Sequence, residues 1–288
     1  MKWIRQLRIK HWVKNFLIFT PLVTSHSIFE LDKVTLAIGG FLLFSMCSSG
    51  TYLINDILDV ESDRLHHIKK HRPIAAGTVK TSHAAFAAIT LFSLALSASA
   101  LFIPRLLSVL LAYSVCTLIY SLYLKTKTTI DVVVIGILFV VRIIAGGVST
   151  GIPLSHWLLS FSGLFFLSIA YSKRYLELTH LVQNASGKNL RRGYEPSDIA
   201  VLLNLGVSTG ISSITIFILY INDPQTQLLY ANKERLLLLI PILTYWMASN
   251  WSSVVREKIE EDPVKMFLSD KRTLICAALA LFVIAYAR

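Results

Sequence analysis

Acidic side chains are scarce in this sequence. Only 17 Asp and Glu stand against 28 Lys and Arg in 288 residues, a formal net charge of +11. In a soluble chain that imbalance would point to nucleic acid. Here the cations fall between long apolar runs, so membrane topology accounts for them first and no nucleic-acid partner is expected. Cysteine is almost missing as well. Cys47, Cys116 and Cys276 all lie in apolar runs without metal-ligand spacing. That excludes a cysteine-built zinc site and leaves the three as small buried hydrophobes. The sequence has no low-complexity tract and no short solenoid repeat. No small-residue cleavage site follows the first apolar run, so a cleavable signal peptide is not expected.

What the sequence has in excess is apolar length. Hydrophobic residues make up 54% of the chain, and they are gathered into runs of roughly 17–25 residues, the length that crosses a bilayer as helix. Backbone groups in lipid must pair internally, and these runs are too long for barrel strands. Nine spans are expected, near 15–31, 34–57, 83–103, 106–124, 130–149, 155–174, 198–221, 236–252 and 272–287, with kinks at Pro21 and Pro241. The expected fold class is therefore all-α: one polytopic membrane helical bundle over 1–288, with a short amphipathic segment at 1–14. In that segment Trp3, Ile4, Leu7 and Trp12 accompany Arg5, Arg8 and Lys10, the pattern of an interfacial helix on anionic lipid. Trp157, Trp246 and Trp251 fall near predicted interfaces, where an aromatic belt is expected.

Charge orients these spans. With the N-terminus in the cytoplasm, 22 Lys and Arg lie in inner segments and five in outer ones, and Arg142 lies within a span. This split fits the positive-inside rule and predicts a multi-pass protein of the cytoplasmic membrane. The polar chemistry is gathered on the inner side, so the active site is expected there.

One motif carries most of that chemistry. At the end of the second span Asn55, Asp59 and Asp63 are spaced four apart, with Asp56 beside them. On a continuing helix the three share one face. Like charges at that spacing repel unless a hard cation sits between them. Mg²⁺ suits such oxygen donors and is usually held by one or two carboxylates plus substrate phosphates. The alternative is a solvated acidic helix end. Cations follow at once: Arg64, Lys69, Lys70 and Arg72, then Pro73-Ile74-Ala75-Ala76-Gly77, which would turn the chain into the third span. Carboxylates with a metal beside Arg and Lys make a diphosphate site. Lys70 and Lys80 read better as topological anchors. Arg142 is costly inside a span and would face a cavity or a partner, either a phosphate or a carboxylate of the cluster. Tyr120 is either a phosphate contact or a member of the interfacial belt. His66, His67 and His71 form no zinc pattern.

Asn55-Asp56-x-x-Asp59-x-x-x-Asp63 followed by Arg-Pro-Ile-Ala-Ala-Gly resembles the first aspartate-rich motif of the UbiA superfamily of intramembrane prenyltransferases. Tyr120-Ser121-x-x-Leu124-Lys125 resembles the motif ending that family's fourth helix. Asp131, Arg142 and Ala145-Gly146-Gly147 resemble its fifth helix. The resemblance implies a helical bundle around a central cavity with a lateral opening for lipid. Ordinary members carry a second acidic motif near the end of the sixth helix. This chain instead reads Tyr171-Ser172-Lys173-Arg174-Tyr175-Leu176-Glu177. Two cations stand where carboxylates are expected, which suits one metal-bound diphosphate plus a phosphate held by cations.

That departure resembles the decaprenyl-phosphate phosphoribosyltransferase branch, as do His11-Trp12-Val13-Lys14-Asn15, Arg191-Arg192-Gly193-Tyr194, and Asp262-Pro263-Val264 through Asp270-Lys271-Arg272. The branch implies phosphoribosyl pyrophosphate (PRPP) as donor, a polyprenyl phosphate as acceptor and Mg²⁺ as cofactor. Expected metal ligands are Asn55, Asp59 and Asp63, with Asp56 and Glu177 as further catalytic candidates. Expected substrate contacts are Lys14, Asn15, Arg64, Lys69, Arg72, Tyr120, Lys125, Arg142, Lys173, Arg174 and Tyr194. One alternative is prenyl transfer from a polyprenyl diphosphate to an aromatic acceptor. Another is a transporter, which the one-sided acidic chemistry disfavours. Homo-oligomerisation is left open.

Overall fold

The computed structural model describes residues 2–65, 69–183, 193–224, 226–256 and 270–288. The expectations placed on His66, His67, Arg191, Arg192 and residues 262–264 lie outside them. Regular structure in the described residues is helical throughout. A short α1 (Lys2–Gln6) is followed by a 3₁₀ helix (Ile9–Phe19), α2 (Thr20–Thr24), α3 (Leu31–Leu58), α4 (Val60–Arg64), α5 (Thr81–Phe102), α6 (Pro104–Leu122), α7 (Ile130–Thr150), α8 (His156–Gln183), α9 (Asp198–Asn222), α10 (Thr226–Leu229), α11 (Leu239–Val255) and α12 (Lys271–Ala287). Five of these, α3, α5, α6, α7 and α9, are long and apolar enough to cross a bilayer. Three more, α8, α11 and α12, coincide with the expected spans 155–174, 236–252 and 272–287.

The first expected span, 15–31, is not one helix. The 3₁₀ run ends at Phe19, Pro21 stands in the first turn of α2, and turns follow to α3. Proline has no amide hydrogen to continue a preceding helix and is tolerated where a new one begins. Asn15 is also drawn sideways, its amide donating to the hydroxyls of Ser45 and Ser48 at 2.9 and 3.4 Å. The interfacial helix expected before it is broken too. Arg8 takes a left-handed φ of 51° between α1 and the 3₁₀ run, and Trp12 donates to Ser49 at 3.0 Å.

The chain divides into two compact units. The first comprises Met1–Leu124 and Val141–Leu154. In it α3 packs on α5, α5 on α6, and the 3₁₀ run lies along α3. The interface side of α3 carries Ser45, Cys47, Ser48, Ser49 and Gly50, all buried. Small residues let membrane helices approach closely where lipid supplies no hydrophobic drive. Leu53, Ile74, Val79, Ala84 and Ala88 make a core that anchors the turn after α4. In that turn Gly77 has φ 71°, a conformation open to glycine without steric cost. Outward residues of α5, such as Phe86, Leu101 and Phe102, are large, apolar and exposed, as a lipid-facing surface requires.

The second unit comprises Lys125–Val140 and Ser155–Arg288. Its tightest pair is α8 with α9, which α11 joins. Trp246 and Trp251 are buried in its core beside Tyr171, Tyr175 and Met247, which corrects the expectation that they sit in an interfacial belt. Their indole N–H groups explain the placement. Trp251 donates to Ser168 at 3.1 Å and Trp246 to Thr273 at 3.0 Å, so both bury their rings with the polar atom satisfied. Cys47 and Cys276 are buried free thiols, as expected, and Cys116 is half-buried.

Backbones meet closely at Gly146, where an added Cβ would lie 2.0 Å from the Ile18 carbonyl oxygen. At Gly163, in α8, a Cβ meets nothing within 4 Å. Gly146→Ala is expected to destabilise the protein by about 1–3 kcal/mol through overpacking. Gly163→Ala should be neutral or stabilising by up to about 1 kcal/mol. Thermal unfolding of both variants in detergent checks the pair, and equal melting temperatures would remove the close-contact account.

Candidate active site

The acidic motif leaves the end of α3 in the geometry its spacing requires. Regular helix is interrupted at Asp59, which caps both α3 and α4. Yet the amide of Asp59 donates to the Asn55 carbonyl at 3.0 Å and that of Asp63 to the Asp59 carbonyl at 2.8 Å. These two bonds keep Asn55, Asp59 and Asp63 about a helical turn apart along the chain. Asn55 and Asp59 are half-buried and Asp63 is buried.

Cations close around this motif within the same unit. Asp56 is 3% exposed, and its two oxygens are met from three directions. Gln6 Nε2 donates to Oδ2 at 3.0 Å, Arg8 Nη2 to Oδ1 at 2.5 Å, and Arg72 Nη1 to Oδ1 at 3.1 Å. The same Arg72 nitrogen reaches Asp63 Oδ2 at 2.5 Å. Arg72 therefore ties together two buried carboxylates that would otherwise repel, and charge-assisted bonds of this kind are the strong class. Arg8 also lies over the Tyr52 ring, 4.9 Å from its centre. Arg64, exposed, donates Nε to the Ala75 carbonyl at 3.2 Å, which fixes the turn that carries Arg72.

Sequence reasoning named Asp56 and Arg72 but missed Gln6 and Arg8. Their side chains turn inward because the chain reverses at Arg8 in a left-handed conformation, which helical periodicity does not disclose. Lys14, Lys69 and Tyr120 are half-buried in this unit. Lys14 lies on the 3₁₀ run, Lys69 opens a short 3₁₀ turn (Lys69–His71), and Tyr120 stands in the last turns of α6.

Asn15 and Arg142, 127 positions apart, are brought together in the first unit. Arg142 Nε donates to Asn15 Oδ1 at 2.9 Å, and Nη2 reaches the Tyr113 hydroxyl at 3.4 Å. The guanidinium lies 5.4 Å from the ring centres of both Phe44 and Tyr113. This is a buried cation cushioned by π faces and amide oxygen. Tyr113 was not foreseen.

The second unit holds its own charged group. Arg174, 2% exposed, pairs through Nη2 with Asp131 Oδ2 at 2.5 Å and through Nη1 with Glu177. Tyr194 is buried, and its hydroxyl donates to Asp131 Oδ1 at 2.7 Å. Burial first, then that hydrogen bond, pushes its phenol well above the usual tyrosine range, so it remains a donor. Lys173 is half-buried on α8, and Lys125 is half-buried in a 3₁₀ turn (Leu124–Thr126).

The donor set fits Mg²⁺. No group of three or more His, Cys, Asp or Glu stands ready to ligate a metal among the described residues. The stack offers two carboxylates and an amide oxygen, enough for an ion whose remaining positions go to water and phosphate. Thiolate and imidazole, which would favour zinc, are missing from it.

The UbiA prenyltransferase family model matches residues 16–270. An uncharacterized protein, y4nM of Sinorhizobium fredii, is 35% identical over 96% of this chain and 54% of its own length. A decaprenyl-phosphate phosphoribosyltransferase of Mycobacterium tuberculosis is 36% identical over 67% of this chain and 64% of its own length. The chain thus spans just over half to under two thirds of these curated relatives. In fold it is similar to a UbiA homolog from Archaeoglobus fulgidus solved with DMAPP and Mg²⁺, with a TM-score of 0.71 at 15% identity, covering 100% of this chain and 99% of that one. An all-helical membrane architecture, an oxygen-rich stack where α3 ends and a family match over most of the sequence converge, and the chain belongs to the UbiA prenyltransferase family.

Proposed function

We propose that this protein transfers the 5-phosphoribosyl group of PRPP to a polyprenyl phosphate and releases diphosphate. The observation that carries this reading is the charged group of α8. Where two carboxylates would serve a second metal, the chain places Lys173 and a buried Arg174 that is already committed to Asp131 and Glu177. One acidic stack suits a donor that brings a diphosphate, and Lys173 on α8 suits an acceptor that brings a phosphate. The partial match to a decaprenyl-phosphate phosphoribosyltransferase supports the same choice. The site is assigned to the cytoplasmic side by the distribution of Lys and Arg.

In the transfer, an acceptor phosphate oxygen bonds to C1 of the ribose, and the bond from C1 to the diphosphate oxygen breaks with its electron pair leaving on diphosphate. Asn55, Asp59 and Asp63 would hold Mg²⁺, which when bound neutralises the diphosphate and favours its departure. Arg72 and Lys69 add charge beside that stack. Asp56, engaged by Gln6, Arg8 and Arg72, keeps the two arginines in place. Glu177 is assigned to the ribosyl group, where positive charge develops as in other glycosyl transfers. The acceptor is already an anion and needs no strong base. It needs orientation, for which Lys173 is the assigned cation.

Conventional prenyl transfer is the second reading, favoured by the similarity in fold to a homolog solved with DMAPP and Mg²⁺. Purified protein supplied with Mg²⁺ and either labelled PRPP or labelled polyprenyl diphosphate separates the two. Label is expected in lipid from PRPP, and release of label from the prenyl diphosphate alone would transfer the case to the second reading.

Asp59→Ala and Asp63→Ala are each expected to lower turnover by about a hundredfold or more while leaving membrane insertion intact. Chelation of Mg²⁺ should silence the wild type, and full activity of both variants would dismiss the metal assignment. Lys173→Asp is expected to raise KM for the polyprenyl phosphate by roughly tenfold or more, the loss of one charge-assisted contact. An unchanged KM would reduce that lysine to a topological anchor.

A further inference from the structure

The second unit contains a chain of contacts of which the transfer step itself uses only the last member, Glu177. Asp131, in the first turn of α7, is fully buried. Its Oδ2 meets Arg174, and its Oδ1 accepts the Tyr194 hydroxyl. That hydroxyl in turn accepts the Thr129 backbone N–H at 2.8 Å. Thr129 has φ 67°, a left-handed conformation that β-branched residues rarely adopt. Arg174 also lies over the Tyr194 ring, 5.9 Å from its centre, and continues to Glu177 on its own helix.

Two carboxylates therefore share one buried guanidinium, and they differ in surroundings. Asp131 is fully enclosed, whereas Glu177 is 35% exposed. The enclosed partner holds the cation in a fixed position, and the cation holds the accessible one. We propose that Asp131 is a positioning residue for Glu177, acting through Arg174 and itself oriented by Tyr194. The inference rests on the reading in which Glu177 meets the ribosyl group. Without the Asp131 charge, the guanidinium would draw Glu177 in as its remaining carboxylate and take it away from the sugar. Tyr194, buried and bonded on both sides of its oxygen, belongs to the same support.

A double-mutant cycle on the full-length protein in detergent tests this, with kcat and KM measured for the labelled donor and folding followed by size-exclusion profile. Asp131→Asn is expected to lower kcat by roughly tenfold or more while KM changes by less than about threefold. Arg174→Met should cause a loss of similar size, and the double variant should be no slower than Arg174→Met alone. Asp131→Glu, which restores the charge, should recover part of the rate. Tyr194→Phe removes one hydrogen bond and no charge, and it should cost kcat about two- to fivefold. It carries the test if Asp131→Asn does not fold. Losses that multiply in the double variant, or wild-type kcat in folded Asp131→Asn or in Tyr194→Phe, overturn the proposal. Failure of the PRPP reading looks different: the wild type then uses polyprenyl diphosphate alone, and the same cycle is run on that donor. A wild type that turns over neither donor sinks both.

Discussion

A carboxylate taken out of water must be met by a cation, and this constraint organises the protein. Asp56, Asp63 and Asp131 are all buried, and each is held by arginine. Removing one member of such a pair costs about 3–5 kcal/mol, because the other is left charged and dry. Each pairing therefore fixes where its backbone must lie. Arg72 cannot reach both Asp56 and Asp63 unless the turn after α4 folds back, and Ile74 and Val79 plug the α3–α5 core when it does. Arg174 cannot reach Asp131 unless α8 lies against the start of α7. The candidate site and the architecture share the same atoms.

Within the first unit, the pairing also separates roles among adjacent acidic residues. Asp56 has its oxygens taken up by Gln6, Arg8 and Arg72. Asn55, Asp59 and Asp63 keep a one-turn spacing, because i to i−4 bonds join each to the next although regular helix is interrupted at Asp59. A motif that looks like one acidic patch is thus graded: Asp56 is met on both oxygens, Asp63 shares Arg72 with it, and Asn55 and Asp59 are half-buried a turn apart.

Much of this was legible in the sequence, and the reasons are physical. Apolar length marked α3, α5, α6, α7 and α9, since lipid imposes one solution on a long apolar run. Four-residue spacing marked the oxygen column, since i and i+4 share a side whether or not the helix is formally continuous. The first expected span failed because apolar content alone does not register that Pro21 starts a new helix or that Asn15 is pulled toward two serines. Trp246 and Trp251 were misplaced because a tryptophan near a span end reads as interfacial, while a hydroxyl partner for the indole is set by packing. The contacts of Arg142 with Asn15 and of Arg174 with Asp131 join residues 127 and 43 positions apart. No local pattern announces which distant partner a lone arginine will choose.

The left-handed turn at Arg8 has a practical bearing. It delivers Gln6 and Arg8, two of the three side chains that donate to Asp56. A substitution that denies position 8 this backbone conformation would therefore withdraw an amide and a guanidinium at once from a buried carboxylate 48 to 50 positions away on α3.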